Sequence, residues 1–216
     1  MRNNITEIVF VLDRSGSMCP IAEDTIGGFN STLESQRKHE GKAYVSTMLF
    51  NSKLLWLHDR LPISKVKPMT ATDYCPSGVT ALFDALGRSI EHIENIHKYA
   101  RKEDVPKHTM FVIMTDGLEN ASRQFCREDI KRMIRRKKRK GWEFIFLGAN
   151  IDAAAEACSI GISRERAANF HADGQGQQMS FRAVDKAISN LRSSDEVGSI
   201  WKEELDEDFE SRKGHL

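Results

Sequence analysis

The sequence has no long apolar run, no Cys-x-x-Cys pair and almost no net charge, and each absence removes a class of function. Without an apolar stretch of about twenty residues, nothing in it is expected to span a bilayer. The opening Met1-Arg2-Asn3-Asn4-Ile5-Thr6-Glu7 carries no apolar secretory core behind its basic residue, so the expected location is the cytoplasm, with no membrane partner. The four cysteines, Cys19, Cys75, Cys126 and Cys158, are widely scattered, and the seven histidines do not pair with them. That spacing fits reduced core or surface thiols better than a disulfide framework or a zinc site. A net charge of +1 gives no overall attraction for nucleic acid.

What is present fits one soluble domain. The 216 residues are 40% hydrophobic and 29% charged, enough for a single large α/β core. Glu7–Leu12 is a nearly continuous β-branched and apolar run, the pattern of a strand buried on both faces. Asp13-Arg14-Ser15-Gly16-Ser17 breaks it, and a helical stretch follows to about Lys38. Ala43–Phe50 and Lys53–His58 read as two strands separated only by Asn51 and Ser52. A parallel crossover needs about a dozen residues, so this pair must be an antiparallel hairpin. An irregular stretch, Pro62–Gly78, leads to a long amphipathic helix from about Thr80, with Leu82, Leu86, Ile90, Ile93 and Ala100 at helical spacing. Thr109–Met114 is a further strand, ended by Asp116-Gly117. A basic helix from about Arg127 to Lys140 precedes the strand Glu143–Leu147 and a short helix after Gly148-Ala149-Asn150. Ala167–Phe170 reads as a short sixth strand and Phe181–Leu191 as the final helix. Strands that alternate with helices imply an α/β fold: a mostly parallel sheet between two helical layers, with one antiparallel strand from the hairpin. Residues 1–195 read as one domain and 196–216 as an acidic, polar tail, either a helix end or a loose segment.

In an open parallel sheet, ligands bind beyond the carboxyl ends of the strands. Two strands finish there on an aspartate, VFVLD at Asp13 and FVIMTD at Asp116. Ser15 and Ser17 follow Asp13 at alternate positions, so one carboxylate and two hydroxyls can converge, and Thr80 offers a third hydroxyl from another loop. All are hard oxygen donors of the kind Mg²⁺ takes. Singly, each has a simpler explanation as a turn former or helix cap. Jointly, five oxygen-bearing residues at one sheet edge favour a metal.

VFVLDRSGSM, SGVTALFDALG and VIMTDGLEN resemble the three segments of the metal-ion-dependent adhesion site (MIDAS) in von Willebrand factor A (VWA) domains. More narrowly, the chain resembles small stand-alone bacterial members, over roughly residues 5 to 195. The resemblance implies a three-layer α/β/α Rossmann-like VWA fold with one antiparallel edge strand. It also implies Mg²⁺ or Mn²⁺ held by Asp13, Ser15, Ser17, Thr80 and Asp116. In the family the second aspartate often acts through water, which leaves an electrophilic metal with an open position. The implied function is non-enzymatic docking of an Asp or Glu from a partner protein.

Weaker features have simpler readings. Glu119 and Asn120 follow the Asp116 turn and read as surface loop residues that sit near the metal. The basic run Arg132–Lys140 (RMIRRKKRK) reads as a solvated helix end, since cations there offset the macrodipole and no aromatics interleave it for stacking on nucleic acid. Asp173-Gly174-Gln175-Gly176-Gln177 reads as a flexible turn rather than a phosphate loop, lacking the Lys-Ser/Thr ending. Lys202–Glu210 reads as a solvated amphipathic end. The catalytic alternative is a Mg²⁺-dependent phosphoryl-transfer hydrolase with Asp13 as nucleophile. Such enzymes usually place a second aspartate two residues on, where this chain has Ser15.

Overall fold

The computed structural model describes residues 4–213. The first strand, β1 (Ile5–Asp13), is longer than its apolar run and is buried along its whole length. It includes Glu7, whose carboxylate takes a hydrogen bond from Arg60 Nε at 2.9 Å and lies 3.3 Å from His97 Nε2, so the buried charge is partnered. A 3-10 turn (Gly16–Ile21) leads to α1 (Ala22–Arg37). The expected hairpin follows: β2 (Lys42–Phe50) pairs antiparallel with β3 (Leu54–Pro62). Asn51 closes its turn, with its Oδ1 accepting from Lys53 N at 2.8 Å.

The irregular stretch after β3 is pinned down by its side chains. Val66, Met69 and Tyr74 are buried, and Asn30 of α1 both donates to Met69 O at 2.9 Å and accepts from Met69 N at 2.8 Å. Then come α2 (Leu82–Tyr99), β4 (His108–Thr115), α3 (Arg127–Lys138), β5 (Trp142–Ala149), α4 (Ala153–Ser159) and β6 (Ala167–Phe170). The last two helices are α5 (Gly174–Ser194) and α6 (Glu203–Ser211).

The six strands order as β3-β2-β1-β4-β5-β6, all parallel except β3. This is the expected three-layer arrangement. Alternate side chains of β1 feed two cores: Ile8, Phe10 and Leu12 pack with α1 and α5, whereas Val9 and Val11 pack with α2 and α3. The chain runs outward from β1 to β2 and β3, then returns across β1 to β4. The connections after β1 and β4 therefore diverge, and the carboxyl ends of these two neighbours form the switch point where α/β sheets bind ligands.

Two segments differ from their sequence reading. Asp173–Gln177 is the cap and first turn of α5 rather than a flexible turn. Asp173 Oδ1 accepts from Gly176 N at 2.8 Å, the N-cap bond of a helix. Gly176 is required by close approach, since a Cβ there would fall 2.2 Å from His171 O. Residues 200–211, acidic by composition, form a 3-10 turn and α6, and Val197, Trp201 and Leu205 are buried in the α1–α5 core. Lys202 Nζ donates to Ala167 O at 2.7 Å and Trp201 Nε1 to Glu165 O at 2.9 Å, so this segment covers the open edge beside β6. No helix among the described residues is long and apolar enough to cross a membrane. The four cysteines are free and exposed.

Candidate metal centre

Asp13 closes β1, and its two carboxylate oxygens are committed to different loops. Oδ1 accepts from the backbone N–H of Ser15 at 2.7 Å, which turns the first loop back over the strand end. Oδ2 accepts from the Thr115 hydroxyl at 2.6 Å, tying β1 to the end of β4. From Ser15 the chain of oxygens continues: Ser15 Oγ lies 3.1 Å from Ser17 Oγ, and Ser17 Oγ donates to Asp116 Oδ1 at 2.6 Å. Thr80 stands alongside, its Oγ1 being 3.8 Å from where a Cβ on Gly117 would sit. Asp13, Ser15, Thr80 and Asp116 are buried, whereas Ser17 is exposed at the mouth. Of the five residues singled out from the sequence, Asp13, Ser15, Ser17 and Asp116 are linked by these hydrogen bonds, and Thr80 lies beside Gly117 of the third loop.

The loops are held by the backbone. Gly16 N donates to Gly78 O at 3.1 Å and Ser77 N to Arg14 O at 2.9 Å, locking the first loop to the second. Gly78 has φ +73°, a left-handed conformation that suits glycine, and the chain turns there into Val79 and Thr80. Asn51 at the hairpin supports the same turn by donating to Ser77 O at 2.8 Å and accepting from Ala81 N through its own carbonyl at 3.1 Å.

Glu119 and Asn120 act on the second loop. Asn120 Oδ1 accepts from Thr80 N at 2.9 Å, while its N–H donates to Thr80 O at 3.0 Å. Glu119 accepts from Phe83 N at 2.9 Å and Ser122 N at 2.7 Å, satisfying a free N–H at the start of α2. They orient Thr80 and its helix and are more than passive loop residues. Asp84, fully committed to the N–H groups of Arg123, Gln124 and Phe125, fixes the far side of the third loop.

Sequence reasoning missed Thr115, Tyr74 and Asn51. The hydroxyl of Thr115 directly before Asp116 was the available signal. Tyr74 gave none: its hydroxyl donates to Asp13 O across 61 residues of chain, a contact that only the folded irregular stretch creates.

Burial dominates the electrostatics. It pushes the Asp13 carboxyl up to about 6, against hydrogen bonds from Thr115 and Ser15, and the neighbouring Asp116 charge adds to the rise. Asp116 is raised too, again chiefly by burial, with the Ser17 hydrogen bond opposing. Tyr74 is raised by burial and by the Asp13 charge. No Lys, Arg or His forms an ion pair with either aspartate among the described residues. Two carboxylates close enough to repel, ringed by hydroxyls and without a protein counter-ion, are a donor set that a small hard cation fits. No group of three or more His, Cys, Asp and Glu side chains gathers among the described residues, so a nitrogen- or sulfur-rich site is not offered.

No family model matches the chain, and no curated protein matches it in sequence. Solved structures do match in fold. The von Willebrand factor domain of the type V pili tip protein Mfa5 from Porphyromonas gingivalis aligns over 85% of this chain and 94% of its own, at 11% identity and TM-score 0.61. The manganese-loaded TRAP protein of Plasmodium vivax aligns over 82% of this chain and 72% of its own, at 16% identity and TM-score 0.56. Proximal thread matrix protein 1 from the mussel byssus, with a zinc-occupied MIDAS motif, aligns over 85% of this chain at 17% identity and TM-score 0.57. This chain spans only 46% of the mussel protein's length. At these identities the likeness is one of fold, and the fold is that of von Willebrand factor A domains.

Proposed function

We propose that the chain is a VWA-family binding module in which Asp13, Ser15, Ser17, Thr80 and Asp116 hold one divalent cation, Mg²⁺ or Mn²⁺, and the cation docks an acidic side chain of a partner protein. The observation that carries this reading is a pair of buried carboxylates with no ion-pair partner among the described residues. Burial raises both carboxyls, the Asp116 charge adds to the rise at Asp13, and their hydrogen bonds come from hydroxyls and an N–H group. A cation there would remove the repulsion, and neutral hydroxyl ligands would leave it enough positive charge to attract a further carboxylate. The manganese-loaded and zinc-occupied relatives in fold support a metal at this edge.

When bound, the ion supplies Lewis acidity toward an incoming oxygen. The residues do the positioning: Thr115 and the Ser15 N–H fix the Asp13 carboxylate, Asn120 fixes Thr80, and Ser17 stands at the exposed mouth. The hydrolase reading has less support. Position 15 offers a hydroxyl where an acid–base carboxylate belongs, and Glu119, the next carboxylate along the third loop, is consumed by backbone N–H groups.

The test is affinity capture from the native cell with and without EDTA, using wild-type, Asp13→Ala and Ser15→Ala chains as bait. A partner retained only by the wild type and only without chelator is the expected result. Equal capture by all three chains in EDTA would remove metal-dependent docking.

A further inference from the structure

A groove of about 850 Å³ lies between α1 and α5 and contains none of the five candidate metal ligands in its lining. Glu23, Asp24, Gly27 and Ser31 of α1 form one wall, and Gln178 and Arg182 of α5 the other. Two adjacent glycines interrupt α1, and only one has a reason within a single copy. A Cβ on Gly28 would meet the Phe181 ring at 2.2 Å, so its absence lets α5 pack. A Cβ on Gly27 would meet nothing within 4 Å. Glycine inside a helix costs roughly 0.5–1 kcal/mol relative to alanine. Gly27 with Ser31 one turn on therefore keeps an exposed strip of α1 low where the monomer has no use for it.

The groove is also net acidic, its walls carrying Glu23, Asp24 and Asp185 against Arg182. Glu23 and Asp24 are exposed and form no ion pair among the described residues, while Asp185 is held by Ser35 and Gln36 at 2.8 Å each. The opposite face of the sheet carries the converse. Arg132, Arg135, Arg136 and Arg139 form an exposed stripe along α3 and its end, and Arg135 and Arg139 have no ion pair among the described residues. The other acidic surface, α6, is largely spoken for: Glu204, Asp206, Asp208 and Glu210 pair with Lys186, Lys202, Arg212 and Lys213.

We propose that the α1–α5 groove receives the basic face of α3 from a second copy of this chain, joining copies head to tail. The two surfaces lie on opposite faces of the sheet, so the contact cannot close within one copy. Guanidinium groups suit the occupant because their planar fork meets carboxylates in pairs. The low strip at Gly27 and Ser31 lets a helix approach closely. A contact between two different surfaces builds rings or open chains rather than a two-fold dimer.

Sedimentation velocity on the full chain tests this, at about 50 mM and about 500 mM salt, since exposed charge pairs weaken as salt shortens the screening length. Gly27→Leu adds bulk to the groove at a position where a Cβ meets nothing within 4 Å, and Arg135→Glu/Arg139→Glu reverses the stripe on exposed positions. Wild type is expected to associate at low salt, and each variant alone to lose at least about tenfold in association constant. Mixing the two variants restores a one-to-one complex, because one retains the stripe and the other the groove. EDTA leaves all of this unchanged, which separates it from docking at the metal. A wild type that stays monomeric at low salt overturns the proposal. So do variants that associate like wild type, a mixture that fails to pair, or association that collapses in EDTA.

Discussion

At the scale of single residues, burial of Asp13 has consequences for pH. Its carboxyl stands at about 6 in the folded chain against an ordinary 3.8, so the folded state binds more protons between those values. The sign follows: Asp13's own contribution to the stability of metal-free protein is fully present below about 4 and is lost as pH rises through about 6. Asp13→Asn should therefore stabilise the metal-free chain by about 1–3 kcal/mol at pH 7. Urea unfolding in EDTA reads this, and the gain should shrink toward pH 4. A cation must displace the same proton, so Mn²⁺ affinity should rise with pH through about 6 and level off once Asp13 is ionised. Thr115→Val, which removes the hydroxyl from Asp13 Oδ2, should weaken Mn²⁺ binding about 10–100-fold with the circular dichroism spectrum unchanged. The five candidate ligands were legible because each sits at a strand end or helix start in a fixed order. Tyr74 and Asn51 were not, because their partners Asp13 and Ser77 lie 61 and 26 residues away along the chain.

At the scale of elements, the ends of helices do as much as their faces. Glu119 accepts from Phe83 N, Ala121 N and Ser122 N, so Glu119→Ala strips a cap from α2 and loosens the third loop together. The expected loss is about 1–2 kcal/mol of stability by denaturant midpoint, with weaker Mn²⁺ binding because Thr80 lies just before the same helix. Strand and helix types followed from periodicity: β-branched runs for β1 and β4, and Leu82, Leu86, Ile90 and Ile93 for α2. The start of α5 did not, because glycines at 174 and 176 mimic a loop. Their role is close packing against Asp24 and the His171 backbone, which depends on neighbours remote in sequence.

At the scale of the whole molecule, the chain order β3-β2-β1-β4-β5-β6 puts the ends of β1 and β4 side by side, and that adjacency brings Asp13 to Asp116 across 103 positions. The hairpin and the parallel sheet were readable from loop lengths. The docking of residues 197–211 was not, because its buried anchors Val197, Trp201 and Leu205 are scattered among many carboxylates. Trp201→Ala should cost about 3–5 kcal/mol, measured by guanidinium unfolding, since it empties a fully buried site and frees Glu165 O.

The most direct measurement of the central claim is anomalous diffraction from crystals soaked in Mn²⁺. One ion is expected at the carboxyl ends of β1 and β4, contacted by Asp13, Ser15, Ser17 and Thr80, with Asp116 reaching it directly or through water. An empty sheet edge, with Ser17 still donating to Asp116 and Thr115 to Asp13, would contradict the account.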